Sequence, residues 1–306
     1  MTQFIAQRLV WSLFVLFGVA TAVFVILHLS GDPTVLMLPP DARPEDAARL
    51  RHAFGFDRPL PIQYLDFLGG LLRGDFGTSV RFQQPALGLI MERVPMTLLL
   101  AGSGLTFAVV LAIPIGILSA ARRGTWLDSL GMAVALVGQS VPVFWLGLML
   151  ILVFAVNLHW LPALGSGGPD HLILPTISLG MFSAAATARL LRAGLAEVLD
   201  QEYIRTARAK GLRESAVLIG HGVRNALIPV VTMLGLQFGA LLGGALITET
   251  IFAWPGMGRL LIQAIYNRDY PLAQAAILWL AIIFVVVNLG VDLLYGLLDP
   301  RIRYAR

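Results

Sequence analysis

The chain has 306 residues, of which 57% are hydrophobic and 13% charged, and its mean hydropathy is +0.79. Soluble domains carry about a quarter charged residues, so this composition excludes a soluble globular protein and favours an integral membrane protein. The formal net charge is only +4 and the basic residues fall between apolar runs, so no nucleic acid is expected as a partner. The sequence contains no cysteine, which excludes disulfides and thiolate chemistry.

The long apolar runs predict membrane-spanning helices. A bilayer is crossed by helices or by closed barrels, and barrel strands would appear as short alternating segments rather than as continuous runs of about twenty apolar residues. We therefore predict an all-α membrane protein, and we interpret the first run as an uncleaved span because it is too long for a signal peptide. The six spans are predicted at residues 9–29, 96–120, 129–156, about 172–191, about 226–247 and 275–298.

The segments between the spans differ in character. Gly31-Asp32-Pro33 is expected to end the first helix, since proline cannot continue it. Residues 34–95 form a polar insert with short amphipathic helices predicted at 44–54 and 62–72, which would cap the outside of the bundle. Residues 248–274 form a mixed loop whose apolar middle is too short to span. Pro229 is expected at the start of the fifth span.

The distribution of basic residues predicts the orientation. The short loop 121–128, the segment 189–224 and the tail with Arg301 and Arg303 are basic, whereas residues 157–170 contain no lysine or arginine. Basic short loops stay in the cytoplasm, while long loops translocate largely regardless of charge. Both termini are therefore predicted to be cytoplasmic, with the insert outside.

The sequence lacks the motifs of a membrane enzyme. Its only lysine, Lys210, follows Ala209, so the Gly-Lys pair of a Walker A loop is missing and the chain is not expected to hydrolyse ATP. A hydrolase would need a serine such as Ser166 to work with His159 or His171. A turn-rich loop with interfacial histidines explains that cluster better, because such motif fragments are weak signals.

An ion-coupled transporter working alone is the alternative to a transporter driven by ATP. Such carriers place ionisable groups within the membrane. The candidates are Glu249, Asp292 and His28, all near span ends where headgroups or water are in reach. The deeper polar residues are Gln139, Gln237 and Asn288. These three are neutral, and we expect them to bond between helices.

The polar segment around residues 199–224 interrupts the apolar sequence. Residues 202–209 contain no proline or glycine and predict a helix, which Gly211 ends as a C-cap. Tyr203, Ala207 and Lys210 recur at helical spacing, and a second amphipathic run at 214–224 leads back to the membrane. The segment is either a short helix presented to a partner in water or a solvated connector.

The motifs of this segment resemble those of type I ABC importer permeases. YIRTARAKGL followed by RNALIP is similar to the cytoplasmic signature of the dipeptide and oligopeptide (nickel and glutathione) branch, in its first-permease (B-type) form. The signature of the wider superfamily begins with Glu-Ala-Ala, whereas this chain has Arg205-Thr206-Ala207 at that position. Further blocks that resemble the branch are LSGDP (29–33), GDFGTS (74–79), SVPVFWLG (140–147), ETIFAWPGMGRLL (249–261), RDYP (268–271) and LLDPRIR (297–303).

The resemblance implies a six-helix, MetI-like permease fold with an extracytoplasmic insert after helix 1, in a bacterial inner membrane. It implies that the polar segment is a coupling helix seated on a cytoplasmic ATPase. The departures from the signature limit the residues carried over from the family to Ala207, Gly211 and Pro229. The other predicted coupling residues are Tyr203, Arg205, Thr206, Arg208, Ala209 and Lys210, because a docking helix needs small residues for close approach and charges for orientation. The implied partners are a second homologous permease, two ATPase subunits that carry ATP and Mg, an extracytoplasmic solute-binding protein and membrane lipid. No catalytic residue, metal or cofactor is expected in this chain.

The loop after the fifth span carries a second hypothesis. Trp254-Pro255-Gly256 is a stiff turn, and it either gates the outer mouth and meets the binding protein or anchors a tryptophan at the membrane surface. The residues of this candidate gate are Glu249, Trp254, Pro255, Gly256, Met257 and Gly258. We divide the chain into residues 1–94, the first span with its insert, and residues 95–306, the permease domain.

Overall fold

A computed structural model describes residues 2–29, 43–54 and 57–298. Within these ranges the regular structure is helical, apart from an isolated bridge between Thr78 and Pro85. The helices are α1 (Thr2–Leu29), α2 (Pro44–Phe54), α3 (Leu60–Leu72), α4 (Ala86–Ala121), α5 (Trp126–Ser140), α6 (Val143–Asn157), α7 (Asp170–Leu199), α8 (Glu202–Ala209), α9 (Glu214–Ile251), α10 (Met257–Tyr266) and α11 (Tyr270–Leu298). Parts of two family blocks, residues 30–33 of LSGDP and 299–303 of LLDPRIR, lie outside the described residues.

Five of these helices are long and apolar enough to cross a membrane, and α5 with α6 makes a sixth if the pair counts as one span. The expectation of a single span at 129–156 is wrong in one respect, because α5 and α6 are bent by 101° at residues 141 and 142. Val141 is extended, with φ −78° and ψ 125°, as residues before proline tend to be. Pro142 cannot donate a backbone hydrogen bond to α5, so the helix ends there.

Several helices extend beyond the predicted spans. α4 begins at Ala86 rather than near residue 96, and α11 begins at Tyr270 rather than at residue 275. α9 begins at Glu214, so Pro229 lies inside this helix instead of at its start. A hydropathy pattern marks only the apolar part of a helix, whereas backbone hydrogen bonding continues into polar sequence. α7 continues to Leu199, as expected for a helix that runs into the polar segment.

The chain divides into two compact units, of which the first comprises residues 1–96 and 255–286. The two amphipathic helices predicted in the insert are confirmed as α2 and α3. α3 contacts α1 through polar pairs: the hydroxyls of Thr21 and Tyr64 lie 2.6 Å apart, and His28 Nε2 lies 3.0 Å from Gln63 Oε1. His28 is therefore engaged within the chain.

Two of the family blocks meet in this unit, although they are far apart in sequence. Asp269 is 1% exposed. It accepts hydrogen bonds from the Ser79 hydroxyl and from the backbone N–H groups of Val80 and Arg81 at 3.2 Å. A buried carboxylate is stabilised by several such donors. The GDFGTS turn is thus fixed to the segment that precedes α11.

The second unit comprises residues 97–254 and 287–306, and α7 is its central helix. Its small residues allow close packing, and 61% of its most apolar 18-residue stretch is buried. Gly180 of α7 approaches α4 so closely that an added Cβ would lie 2.5 Å from the carbonyl oxygen of Gly104. Small residues of this kind let membrane helices approach closely.

Polar contacts also join these helices. The Arg189 guanidinium donates to Gln139 Oε1 (2.6 Å), and the Thr187 hydroxyl donates to Gln237 Oε1 (3.2 Å). The prediction that Gln139 and Gln237 bond between helices is therefore confirmed. Arg192 pairs with Asp128 of α5 through two hydrogen bonds, of 3.1 and 2.7 Å. The Asp128 carboxylate is 6% exposed and also accepts the N–H of Gly124 at 3.0 Å.

Replacing Asp128 with asparagine is expected to lower the stability of the protein. Loss of one partner leaves a buried charge uncompensated, which costs about 3–5 kcal/mol for a fully buried pair. Because the Arg192 side chain is 30% exposed, we expect a decrease of roughly 2 kcal/mol in the free energy of unfolding. Tryptophan fluorescence during thermal unfolding in detergent measures it as a lower Tm.

Asp200→Asn is the matched control for this measurement. Asp200 also pairs with an arginine, Arg123, at 3.2 Å, but the two side chains are 72% and 60% exposed. Exposed pairs contribute little because water and salt screen them. Equal Tm values for the two variants would contradict a stabilising role for the Asp128 pair.

Candidate coupling segment and outer loop

The predicted short helix of the polar segment is confirmed as α8 (Glu202–Ala209). Gln201 precedes it in an extended conformation, with φ −73° and ψ 151°, and Lys210 follows as the C-cap. Gly211 has φ +74°, the left-handed conformation that ends many helices and that glycine adopts without strain. The turn therefore favours glycine, the residue that the sequence pattern singled out.

The face of α8 that packs against the chain differs from the predicted one. Ile204 is 0% exposed and Ala207 is 7% exposed, and both pack against Val217 of α9 and Leu199 of α7. Ala207 was predicted on one helical face with Tyr203 and Lys210, and among the residues of the ATPase contact. It lies instead in the chain's own core, because Ile204 and Ala207, three residues apart, form the apolar stripe of this helix. The apolar character of Ile204 was the signal that sequence reasoning missed.

Polar contacts also join α8 to the start of α9. Arg208 donates to both carboxylate oxygens of Glu214, at 3.1 and 2.7 Å, and the Glu214 carboxylate raises the pKa of the guanidinium. The Asn225 amide donates to the Tyr203 hydroxyl at 3.0 Å. These three hydrogen bonds join α8 to α9. Arg205 pairs with Glu202 of the same helix at 3.0 Å.

The remaining residues of the predicted coupling set are on the surface of the segment. Tyr203 is 43% exposed. Those also exposed are Arg205, Thr206, Arg208, Ala209, Lys210 and Gly211. Pro229 is exposed too, but it lies 15 residues along α9 from Glu214, a distance of about 22 Å. The structure therefore brings together the residues from 203 to 211 and does not bring Pro229 to them.

The outer-loop residues that belong to the second unit are buried. Glu249 is 0% exposed and accepts a hydrogen bond from the Thr97 hydroxyl at 2.6 Å. The expectation that Glu249 reaches headgroups or water is wrong, because polar partners inside the chain replace the solvent. Trp254 is 3% exposed, and its backbone N–H donates to the Glu249 backbone carbonyl oxygen at 2.9 Å. A tryptophan enclosed in this way cannot anchor at the membrane surface, so that alternative is wrong.

The other gate residues belong to the first unit, where they begin α10. This helix occupies part of the predicted loop at 248–274 and buries Met257 and Gly258. Gly256 is its N-cap, with Pro255 before it. A small polar cavity of about 180 Å³ adjoins this end of α10. Its lining consists of Arg93, Pro255, Gly256, Arg259, Leu260 and Gln263. In the described ranges, no group of three or more His, Asp or Glu side chains is arranged to hold a metal ion.

Long apolar helices with a polar helix, α8, between two of them are typical of membrane transport proteins. Residues 112–304 match the family described as "Binding-protein-dependent transport system inner membrane component". Residues 1–101 match the family described as "Binding-prot-dependent transport system membrane comp, N-term", the N-terminal part of such a membrane component. The chain therefore belongs to the binding-protein-dependent transport system inner membrane component family.

Individual relatives agree with this assignment. The chain is 43% identical to the glutathione transport system permease protein GsiC of Salmonella typhimurium strain LT2 over 305 residues, which cover 99% of this chain and 100% of that protein. The Escherichia coli K12 protein of the same name matches with the same identity and coverage.

Solved structures show the fold. An inward-facing structure of the MetNI methionine ABC transporter has a TM-score of 0.61 at 20% identity, covering 70% of this chain and 97% of that chain. A chain of an amino acid ABC transporter has a TM-score of 0.53 at 19% identity, covering 70% and 94%. The predicted all-helical, MetI-like fold and the resemblance to type I ABC importer permeases are confirmed. The chain is a permease subunit of an ABC importer, and these findings give no support for an ion-coupled carrier.

Proposed function

We propose that this chain forms half of the translocation pathway of an importer for small peptides of the glutathione class. A second homologous permease forms the other half, and an extracytoplasmic binding protein delivers the substrate. The proposal is carried by α8, an exposed polar helix tied to α7 and α9, in a chain 43% identical over its whole length to glutathione permeases.

In this proposal α8 is the contact with a cytoplasmic ATPase. Its exposed side carries Arg205, Arg208 and Lys210, which supply charge for orientation, and Ala209 and Gly211, which allow close approach. Ala207 contributes by seating the helix against Val217. Two ATPase subunits bind ATP and Mg and move two such helices together when they close. This chain contributes no nucleotide site, because Ala209 stands before its only lysine.

The proposed orientation places α8, both termini and the basic loop at 121–128 in the cytoplasm of a bacterium, in the inner membrane and surrounded by lipid. Residues 1–94 then supply a first span and an extracytoplasmic insert, and residues 95–306 supply the permease domain. The segment from Glu249 to Gly258 gates the outer mouth. Because most of its side chains are buried, it would act through packing, and a contact with the binding protein would require it to open.

Co-purification in mild detergent from the native host tests the proposal. A tagged chain is expected to bring with it a second permease and ATPase subunits, identified by mass spectrometry, and the preparation is expected to hydrolyse ATP. An untagged strain is the control. After reconstitution with the binding protein, ATP is expected to drive uptake of radiolabelled glutathione or of the dipeptide Ala-Ala. A chain that emerges alone, without ATP hydrolysis, would refute the proposal, and uptake that a protonophore abolishes at constant ATP would favour the ion-coupled carrier.

A further inference from the structure

Arg189 is a charged residue of α7, two residues before the end of the fourth predicted span at about residue 191. It lies ten residues before Leu199, the end of α7, which is about 15 Å along the helix axis. Side chains on a helix tilt towards its N-terminus, which takes the guanidinium further from that end. The residues on either side of it along α7 are mostly buried, whereas Arg189 is exposed on the surface of the chain.

The guanidinium of Arg189 is bound to a neutral group. It donates to Gln139 Oε1 at 2.6 Å, and among the described residues it makes no ion pair. Arg192, one turn further along α7, is instead neutralised by Asp128. A guanidinium has five N–H donors, so the contact with Gln139 fixes its position and leaves donors and a full charge for another acceptor.

The helix break lies beside this charge. Gln139 is the second-last residue of α5, followed by Ser140 and then by the 101° bend at Val141 and Pro142. Ser140 and Pro142 are exposed on this chain. Irregular backbone at membrane depth is tolerated only where protein covers it or water lines it, and a cation at that depth is costly in lipid. Two independent features therefore indicate that this face does not contact lipid.

We propose that Arg189, positioned by Gln139 beside the break between α5 and α6, binds a carboxylate of the substrate on the wall of the translocation pathway. The inference rests on the proposed function, which makes this face the pathway. A guanidinium holds a carboxylate through two parallel hydrogen bonds. The neutral Gln139 keeps the cation available, whereas a carboxylate such as Asp128 would occupy it. Peptides of the glutathione class carry carboxylates that this group would receive.

Uptake by the reconstituted importer tests the inference. The probe is radiolabelled glutathione or Ala-Ala, whichever the wild-type importer carries. Arg189→Gln removes the charge and at least one of the two hydrogen bonds, and is expected to lower uptake by about 10- to 100-fold or more. Arg189→Lys keeps the charge but loses the paired geometry, and is expected to retain more uptake than Arg189→Gln.

Chemical restoration of the charge gives a readout that a structural role would not produce. The natural chain has no cysteine, so Arg189→Cys supplies its only thiol. A methanethiosulfonate reagent that attaches an ammonium group is expected to restore part of the uptake, and one that attaches a sulfonate is expected to abolish the remainder. Wild-type importer treated with both reagents controls for thiols in the partner subunits.

Arg192→Cys is the matched variant on the same helix. Removal of the Arg192 guanidinium is expected to reduce the amount of assembled importer, because Asp128 then lacks its partner. Arg189→Cys is expected to assemble normally. Wild-type uptake together with undiminished uptake by Arg189→Gln would overturn the inference and leave the proposed function standing. Restoration by the sulfonate, or failure of Arg189→Cys to assemble, would also overturn it. Absence of ATP-driven uptake in the wild type would refute the proposed function itself.

Discussion

Replacement of Gly211 by aspartate is expected to abolish uptake while the chain still inserts into the membrane and assembles. Gly211 has φ +74°, and an added Cβ there meets no atom within 4 Å. The backbone cost is therefore limited to the left-handed conformation, about 1–2 kcal/mol for most residues and less for aspartate or asparagine. The larger effect comes from a negative charge at the C-terminal end of α8, where the helix dipole disfavours it. There it would also attract Lys210 and Arg208, which the proposed ATPase contact uses.

Gly211→Asn is the matched control, because asparagine has the shape of aspartate and tolerates the same backbone conformation. Uptake and ATP hydrolysis stimulated by the binding protein are measured for both variants in proteoliposomes. The asparagine variant is expected to keep much of its coupled activity. Normal uptake by Gly211→Asp would refute the assignment of α8 as the coupling helix. Equal losses in both variants would instead attribute the effect to the backbone turn.

Gly180→Ala is expected to have the largest effect on folding. The added methyl group would lie 2.5 Å from the Gly104 carbonyl oxygen and 2.9 Å from Phe107 Cδ1. Backbone cannot rotate away as a side chain can, so α4 and α7 must separate locally. Overpacking of this kind costs about 1–3 kcal/mol, and more where backbone must move. We expect a lower Tm in detergent and less assembled importer in the membrane.

Gly102→Ala provides the comparison, on the helix that faces Gly180. An added Cβ at Gly102 meets nothing within 4 Å, so only the higher helix propensity of alanine acts there, worth about 0.5–1 kcal/mol. This variant is expected to match or slightly exceed the wild-type Tm. If both alanine variants assembled equally well, close backbone contact between α4 and α7 would not limit the packing of this unit.

Patterns that are local in the sequence predicted local structure well. Continuous apolar runs marked the spans, and a polar stretch ended by Gly211 marked α8, because periodicity and capping depend on neighbouring residues. The bend at Val141 and Pro142 was missed, since the residues on both sides of it are apolar and hydropathy does not register a change of direction. Pro142 was the available signal, through its missing N–H group.

Contacts between distant residues were not predictable in this way. Ser79 and Asp269 are 190 residues apart, and each belongs to a polar stretch that reads locally as a turn. Arg189 was recognised only as part of a basic segment. That no carboxylate among the described residues pairs with it depends on which residue of α5 lies opposite. The buried side of α8 likewise depends on Val217, which follows the helix in a separate element.

The short linkers on either side of α8 restrict how far it can move. Two residues separate it from α7 and four separate it from α9, and chain of that length extends by no more than about 7 and 14 Å. The packing of Ile204 against Leu199 and Val217 further restricts the position of α8. Because these linkers are short and Ile204 packs against Leu199 and Val217, we expect a displacement of α8 to move the adjoining ends of α7 and α9 with it.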